Sequence, residues 1–191
     1  MPLLVIISGP SGAGKTSVIN NLTQRYPDLV KKVITTTTRP PRNGEKSGVH
    51  YDFMSRSEFV ARVERGEFVE HMKNYGQLYG TRAARLREVL ATHPAAILSL
   101  DPDGAVALQR IYRETVRLSI FIRADRHEVA ERLKERGDDR STIFKRVERF
   151  GAEMALAQQF DHQVTNRNEG LDQAVAEVLG LIKAEVEEKV R

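Results

Sequence analysis

The segment Gly9-Pro10-Ser11-Gly12-Ala13-Gly14-Lys15-Thr16 constrains this chain more than any other. It has the spacing G-x-x-x-x-G-K-[ST], and it sits where that spacing acquires meaning. Before it, Leu3 to Ser8 is a short apolar run that reads as a buried strand. After it, Lys15 to Arg25 reads as a helix with Val18, Ile19 and Leu22 on one face, stopped by Pro27. Glycines let successive backbone N–H groups turn inward around phosphate oxygens, and the helix that follows offers its positive end. Lys15 adds a cation for the β- and γ-phosphates, and the Thr16 hydroxyl is placed to ligate Mg²⁺. The first ligand implied is a nucleoside triphosphate with magnesium.

The rest of the chain alternates strand and helix patterns. Strands are predicted at Lys32–Thr36, Ala95–Leu100, Val116–Ile122 and Gln163–Thr165, with shorter extended pieces at Phe68–Tyr75 and Leu78–Thr81. Helices are predicted from a capping box at Ser55 to Arg65, then over Arg82–Ala91, Gly104–Tyr112, Arg126–Arg136, Ser141–Phe160 and Leu171–Val190. This order predicts a single α/β domain with a mainly parallel sheet. Two segments look inserted. One runs from Thr37 to about Arg87 and opens with a long loop to His50 that holds two Pro and two Gly among charged residues. The other is the polar turn Gly137-Asp138-Asp139-Arg140-Ser141 between two helices.

Composition removes several function classes. With 191 residues the chain suits one domain, and with no Cys it has no disulfide, thiol nucleophile or thiolate zinc site. Its five His are too scattered for a metal cluster. The net charge of +4 is spread over helix faces, and with no Trp and 6% aromatic residues there is little stacking surface for nucleic acid. No run approaches the ~20 apolar residues a membrane helix needs, and the first residues lack a basic signal-peptide region. The expectation is a cytoplasmic protein of small-molecule ligands, monomeric or a homo-oligomer, with no nucleic-acid or membrane partner.

A second cluster runs Thr35-Thr36-Thr37-Thr38-Arg39-Pro40-Pro41-Arg42-Asn43-Gly44-Glu45 and continues through Gly48 to Tyr51. Arg39 and Arg42, stiffened by the two prolines, can clamp one phosphate, and Tyr51 can add a hydroxyl. Alone, this segment equally suits a solvated basic loop. Further motifs follow in order: Gly48 to Phe53 as G-x-x-Y-x-F, Gly66-Glu67-Phe68-Val69-Glu70, Tyr79-Gly80-Thr81, Leu100 to Ala105 as L-D-x-x-G-A, and Arg132 to Gly137 as R-L-x-x-R-G. With these the chain resembles guanylate kinase over about residues 3 to 185.

The resemblance implies a P-loop three-layer parallel-sheet core (about 1–36 and 88–191), an inserted GMP-binding subdomain (about 37–87) and a helical lid (about 126–160). It implies phosphoryl transfer from MgATP to GMP, and to dGMP, in purine nucleotide metabolism. Gly9 to Thr16 with Ser17 would hold ATP, and Asn166 matches an Asn near its adenine. Arg39, Arg42, Tyr51 and Tyr79 would hold the GMP phosphate. Glu70 would read the guanine, with Thr35 and Thr81 beside O6, Gly80 in the same site and Asp101 facing the same base. Lys15, Arg39, Arg132, Arg136 and Arg146 would surround the transferring phosphoryl. The chemistry agrees, because guanine places N1–H and N2–H₂ donors on one edge and a carboxylate accepts both, whereas adenine turns a lone pair there.

The chain departs from the family's usual pattern at Thr35 in place of Ser, at Ser99 in place of an acid, at a shorter lid turn, and at Arg167 where an acid commonly follows the Asn. Two other readings remain at this point: a P-loop kinase of another small phosphate ester such as a ribose bisphosphate, and a non-catalytic guanylate-kinase-like binding module. The intact phosphate loop weighs against the binding module. Glu70 with Tyr79-Gly80-Thr81 weighs against the other kinase.

Overall fold

The computed structural model describes residues 2–74, 76–111 and 116–188. Its strands are Leu3–Ser8 (β1), Val30–Lys32 (β2), Thr36–Thr37 (β3), Asp52–Phe53 (β4), Phe68–Asn74 (β5), Gln77–Arg82 (β6), Ala95–Ser99 (β7), Val116–Arg123 (β8) and His162–Thr165 (β9). Its helices are Lys15–Arg25 (α1), Arg56–Glu64 (α2), Ala83–Thr92 (α3), Pro102–Ile111 (α4), Arg126–Glu135 (α5), Arg140–Ala155 (α6) and Leu171–Glu188 (α7). The expected ends at Tyr75, Tyr112 and Val190 lie outside the described residues.

β1 is buried at every position, as a strand covered on both faces must be. It lies at the centre of a parallel sheet of order β2-β7-β1-β8-β9. Because side chains alternate along a strand, Leu3, Val5 and Ile7 pack on one side and Leu4 and Ile6 on the other. The first set meets Val18, Ile19 and Leu22 of α1, Val129 and Leu133 of α5, and Val175, Val178 and Ile182 of α7. The second meets Val89 of α3 and Ala105, Val106 and Leu108 of α4. Two apolar layers on one sheet give the three-layer core.

A second sheet of order β4-β3-β6-β5 lies wholly between Thr36 and Arg82. It is mixed: β3 pairs parallel with β4 and antiparallel with β6, and β5 pairs antiparallel with β6. The strand expected over Lys32–Thr36 is divided, because the chain changes sheets inside it. Val33 N–H still donates to the Ile97 carbonyl at 2.9 Å, whereas the Thr35 carbonyl accepts from Asp52 N–H at 2.8 Å. The helix expected over Ser141–Phe160 also ends early. A 3₁₀ turn over Leu156–Gln159 tightens its last part and turns Ala157 and Phe160 onto the second apolar layer.

β1 ends at the phosphate loop, β7 just before Asp101, and β9 just before Asn166. In open parallel sheets ligands bind beyond these carboxyl ends, where neighbouring strands connect to opposite sides. Ser8 Oγ donates to the Leu100 carbonyl at 3.0 Å and ties two of the ends together. Among the described residues no helix is long and apolar enough to cross a membrane.

Candidate active site

The donor half is built on the start of α1. Gly14 precedes the helix at φ +90°, a left-handed conformation that L side chains rarely adopt. A Cβ there would also run into Asn166 Nδ2. No side chain caps the first N–H groups of α1 and no acid sits in its first turn, so its positive end is left for an anion. By contrast Ser55 caps α2 through Glu58 N–H at 3.2 Å, and Asp139 caps α6 through Thr142 N–H at 3.0 Å. Lys15 Nζ curls under the loop and donates to the Gly9 and Pro10 carbonyls at 2.5 and 3.0 Å. Loss of water around the ammonium lowers its pKa to about 8, with Glu153 and Asp101 pulling it up and Arg136 and Arg146 pushing it down. An arriving polyphosphate restores full protonation. Ser11, Gly12 and Ala13 complete the loop, and Thr16 and Ser17 are exposed on the first turn of α1.

Asn166 is only 4% exposed, and its Nδ2 donates to the Ala13 carbonyl at 2.8 Å. The structure therefore places this amide behind the loop as a brace. Arg132 joins the brace, donating to the Asn166 carbonyl at 3.0 Å and to Asn168 Oδ1 at 2.9 Å. Arg146 reaches the loop from α6 and donates to Ser11 Oγ at 2.6 Å.

The acceptor half is built on the second sheet. Arg39 donates from Nη2 to both oxygens of Glu45, at 2.9 and 2.8 Å, and Arg42 N–H donates to the same carboxylate at 2.7 Å. Burial works to raise the Glu45 pKa, but these donors prevail and hold it below the usual carboxylate range. Arg39 also lies over Tyr51, its guanidinium carbon 5.5 Å from the ring centroid. Tyr51 and Tyr79 meet edge to face at 6.3 Å. Burial and the neighbouring Tyr79 raise the Tyr51 hydroxyl, so it stays a neutral donor. Arg39, Arg42, Tyr51 and Tyr79 are thus gathered at one place.

Glu70 and Thr81 face one another across β5 and β6, and the Thr81 hydroxyl donates to Glu70 Oε1 at 2.6 Å. Burial pushes the Glu70 carboxyl up to about 7. The Thr81 hydroxyl and N–H oppose that, and nearby Asp101 adds to it. The Thr81 hydroxyl therefore spends its proton on Glu70. Thr35, just before β3, and Gly80 of β6 are both buried. Asp101 follows β7 and accepts from Gly104 N–H at 2.9 Å and from Asn74 Nδ2 at 2.7 Å.

Three acids at this site carried no role in the sequence reading. Glu45 holds the Arg39 guanidinium and the Arg42 backbone N–H. Asp138, in the turn between α5 and α6, has a side chain 9% exposed and is bonded by Arg136 through Nε and Nη2. It also lies 3.7 Å from Arg42 and 3.6 Å from Arg146. One carboxylate thus gathers arginines from the loop after β3, the residue that ends α5, and α6. Glu153 is buried on α6, where burial raises its pKa and Lys15 and Arg149 lower it. Arg146, Arg149 and Glu153 recur at i, i+3 and i+7, a helical stripe visible in the sequence itself.

Among the described residues no group of three or more His, Asp or Glu is placed to hold a metal ion. The exposed Thr16 hydroxyl beside the loop suits Mg²⁺ all the same, because this ion keeps several waters and binds through substrate phosphates with few protein oxygens.

The comparisons with known proteins are concordant. The family model described as guanylate kinase matches residues 1–185. A guanylate kinase of Chlorobium chlorochromatii is 38% identical over 167 residues, covering 86% of this chain and 87% of that one. Another, of Nitrosomonas europaea, is 36% identical over 187 residues, covering 97% and 90%. The crystal structure of guanylate kinase from Anaplasma phagocytophilum superposes with a TM-score of 0.78 at 26% identity, over 96% of this chain and 86% of that one. By sequence over nearly its whole length and by fold, the chain belongs to the guanylate kinase family.

Proposed function

We propose that this protein transfers the γ-phosphoryl group of MgATP to GMP, and to dGMP, giving ADP and the guanosine diphosphate. The reaction belongs to purine nucleotide metabolism and is assigned to the cytoplasm. The observation that carries the reading is the pairing of two sites with Asp101 between them: a phosphate loop with Lys15 inside it, and a half-buried Glu70 beside an arginine–tyrosine clamp.

The phosphate of GMP is gripped by Arg39, Arg42, Tyr51 and Tyr79, which turns one of its oxygens toward the donor. That oxygen forms the new bond to the γ-phosphorus while the bond to the β-phosphate oxygen breaks. Little covalent help is needed. Positioning and charge neutralisation do the work. Lys15 and the N–H groups of the loop hold the β- and γ-oxygens. Arg136 and Arg146, gathered by Asp138, bring positive charge to the moving group, and Arg132 stiffens the loop from behind. Thr16 would hold Mg²⁺, which neutralises charge on the β- and γ-phosphates. The lid arginines close over the ligands and exclude water, which would otherwise accept the phosphoryl group.

Glu70 supplies base selection. Guanine N1–H and N2–H₂ donate to the carboxylate, and hydrogen bonds to charged groups contribute about 1.5–3 kcal/mol each. Adenine would leave that carboxylate buried and unpaired. A coupled assay of ADP release tests the reading. Turnover should be high with GMP and low with AMP, CMP and UMP; equal turnover with AMP would remove the base-reading role of Glu70.

A further inference from the structure

One face of β5 carries Glu70, Met72 and Asn74 at alternate positions. This face lies against the start of α4. The fit depends on Gly104, where a Cβ would come 2.7 Å from Met72 Sδ and 3.1 Å from Asp101 Oδ1. Next to that contact, Asn74 Nδ2 donates to Asp101 Oδ2 at 2.7 Å, and Asn74 Oδ1 accepts from Arg149 Nη1 at 3.2 Å. The two partners fix the amide's orientation, since a carboxylate only accepts and a guanidinium only donates. Arg149 is held in turn by Asp103 at 2.8 Å and lies 3.8 Å from Glu153.

We propose that Asn74 is a positioning residue for the acceptor base: it holds the Asp101 carboxylate in its charged form and in the orientation that meets guanine. This rests on the assignment of GMP as acceptor. Asp101 is enclosed. Lys15 of α1 faces it as a cation, and Asp103 of α4, Glu70 of β5 and Glu153 of α6 face it as acids. Burial raises its pKa, and the Gly104 N–H, Lys15 and the Asn74 amide oppose the rise. Gly104 N–H fixes Oδ1, and Asn74 Nδ2 fixes Oδ2. A residue without a donor at position 74 would leave that oxygen turned toward other acids, and the carboxyl would take up a proton.

Asn74→Asp tests this at constant shape. It keeps an acceptor for Arg149 and replaces the donor to Asp101 by a second anion. With GMP varied at saturating MgATP, the expected result is a KM for GMP raised about tenfold, consistent with loss of one charge-assisted bond. The KM for ATP stays unchanged, and the acid limb of kcat/KM for GMP moves to higher pH. Asn74→Leu, which adds no charge, shifts both in the same direction by less. Arg149→Met leaves the Asn74–Asp101 bond in place, so its KM for GMP changes by less than half as much. A carbon-13 titration of the Asp101 carboxyl, assigned with Asp101→Asn, reads the same contact with no nucleotide present. Its midpoint should rise in Asn74→Asp. An unmoved midpoint in a folded Asn74→Asp or Asn74→Leu protein overturns the proposal, as does an Arg149→Met effect equal to that of Asn74→Asp. Absence of GMP turnover in the unaltered protein would overturn the acceptor assignment instead, and the titration would still decide the role of Asn74.

Discussion

Glu70 can read guanine only as a carboxylate, so use of GMP must follow its ionisation. In the free protein burial pushes its pKa up to about 7. The active form is the deprotonated one, so kcat/KM for GMP rises with pH through that value. At pH 8 about nine-tenths of the protein carries the charge and at pH 6 about one-tenth, a roughly tenfold fall in kcat/KM between them. Asp101 interacts with Glu70, so the limb belongs to the pair and is broader than a single titration. The assay is ADP release at GMP concentrations well below KM, with saturating MgATP and constant ionic strength, from pH 5.5 to 9. The GMP phosphate has its own ionisation near about pH 6, and Glu70→Gln separates the two. That variant keeps the oxygen that accepts from Thr81 but turns an amide donor toward the guanine donors. It should lose about a hundredfold in kcat/KM at pH 8, from about 3 kcal/mol of lost charge-assisted bonding, and retain only the shallower limb of the substrate. A flat profile between pH 6 and 8 in the unaltered protein, or the same limb in Glu70→Gln, would refute the reasoning.

The same raised pKa has a cost in stability. A carboxyl whose folded pKa lies above its unfolded value stabilises the fold only while protonated, so the benefit present below the unfolded pKa is lost as pH rises through about 7. Glu70→Gln should therefore raise Tm at pH 8 by several degrees and by less at pH 5, read by differential scanning calorimetry. Lys15→Ala should lower transfer to any acceptor by at least about a hundredfold, because Lys15 acts on the donor phosphates. Gly14→Ala places a side chain at φ +90° and against Asn166 Nδ2, so calorimetry should show MgATP binding weakened by about tenfold or more with GMP binding retained.

Local signals that were complete within a few residues were legible in the sequence. The bounds of α1, the buried strand before it and the cap at Ser55 all depend on neighbours in the chain, and the structure has each of them. The division of Lys32–Thr36 was not legible, because β-branched residues suit either sheet and the change of partner from β7 to β4 and β6 is a tertiary event. The two ligand sites could be named from their motifs. The carboxylates that organise them could not, since Asp138 acquires its role only when arginines from distant segments converge on it. Asn166 shows the same limit: the resemblance puts it near the adenine, whereas in the structure it bonds the Ala13 carbonyl behind the loop, a contact that depends on how β9 ends next to β8.

The central claim is that one carboxylate selects the base while nearby arginines hold the phosphate of the same nucleotide. A crystal structure of the complex with GMP measures this directly. The account predicts Glu70 within hydrogen-bond distance of guanine N1 and N2, with the phosphate among Arg39, Arg42, Tyr51 and Tyr79. A complex with the phosphate so held but the base remote from Glu70 would contradict it.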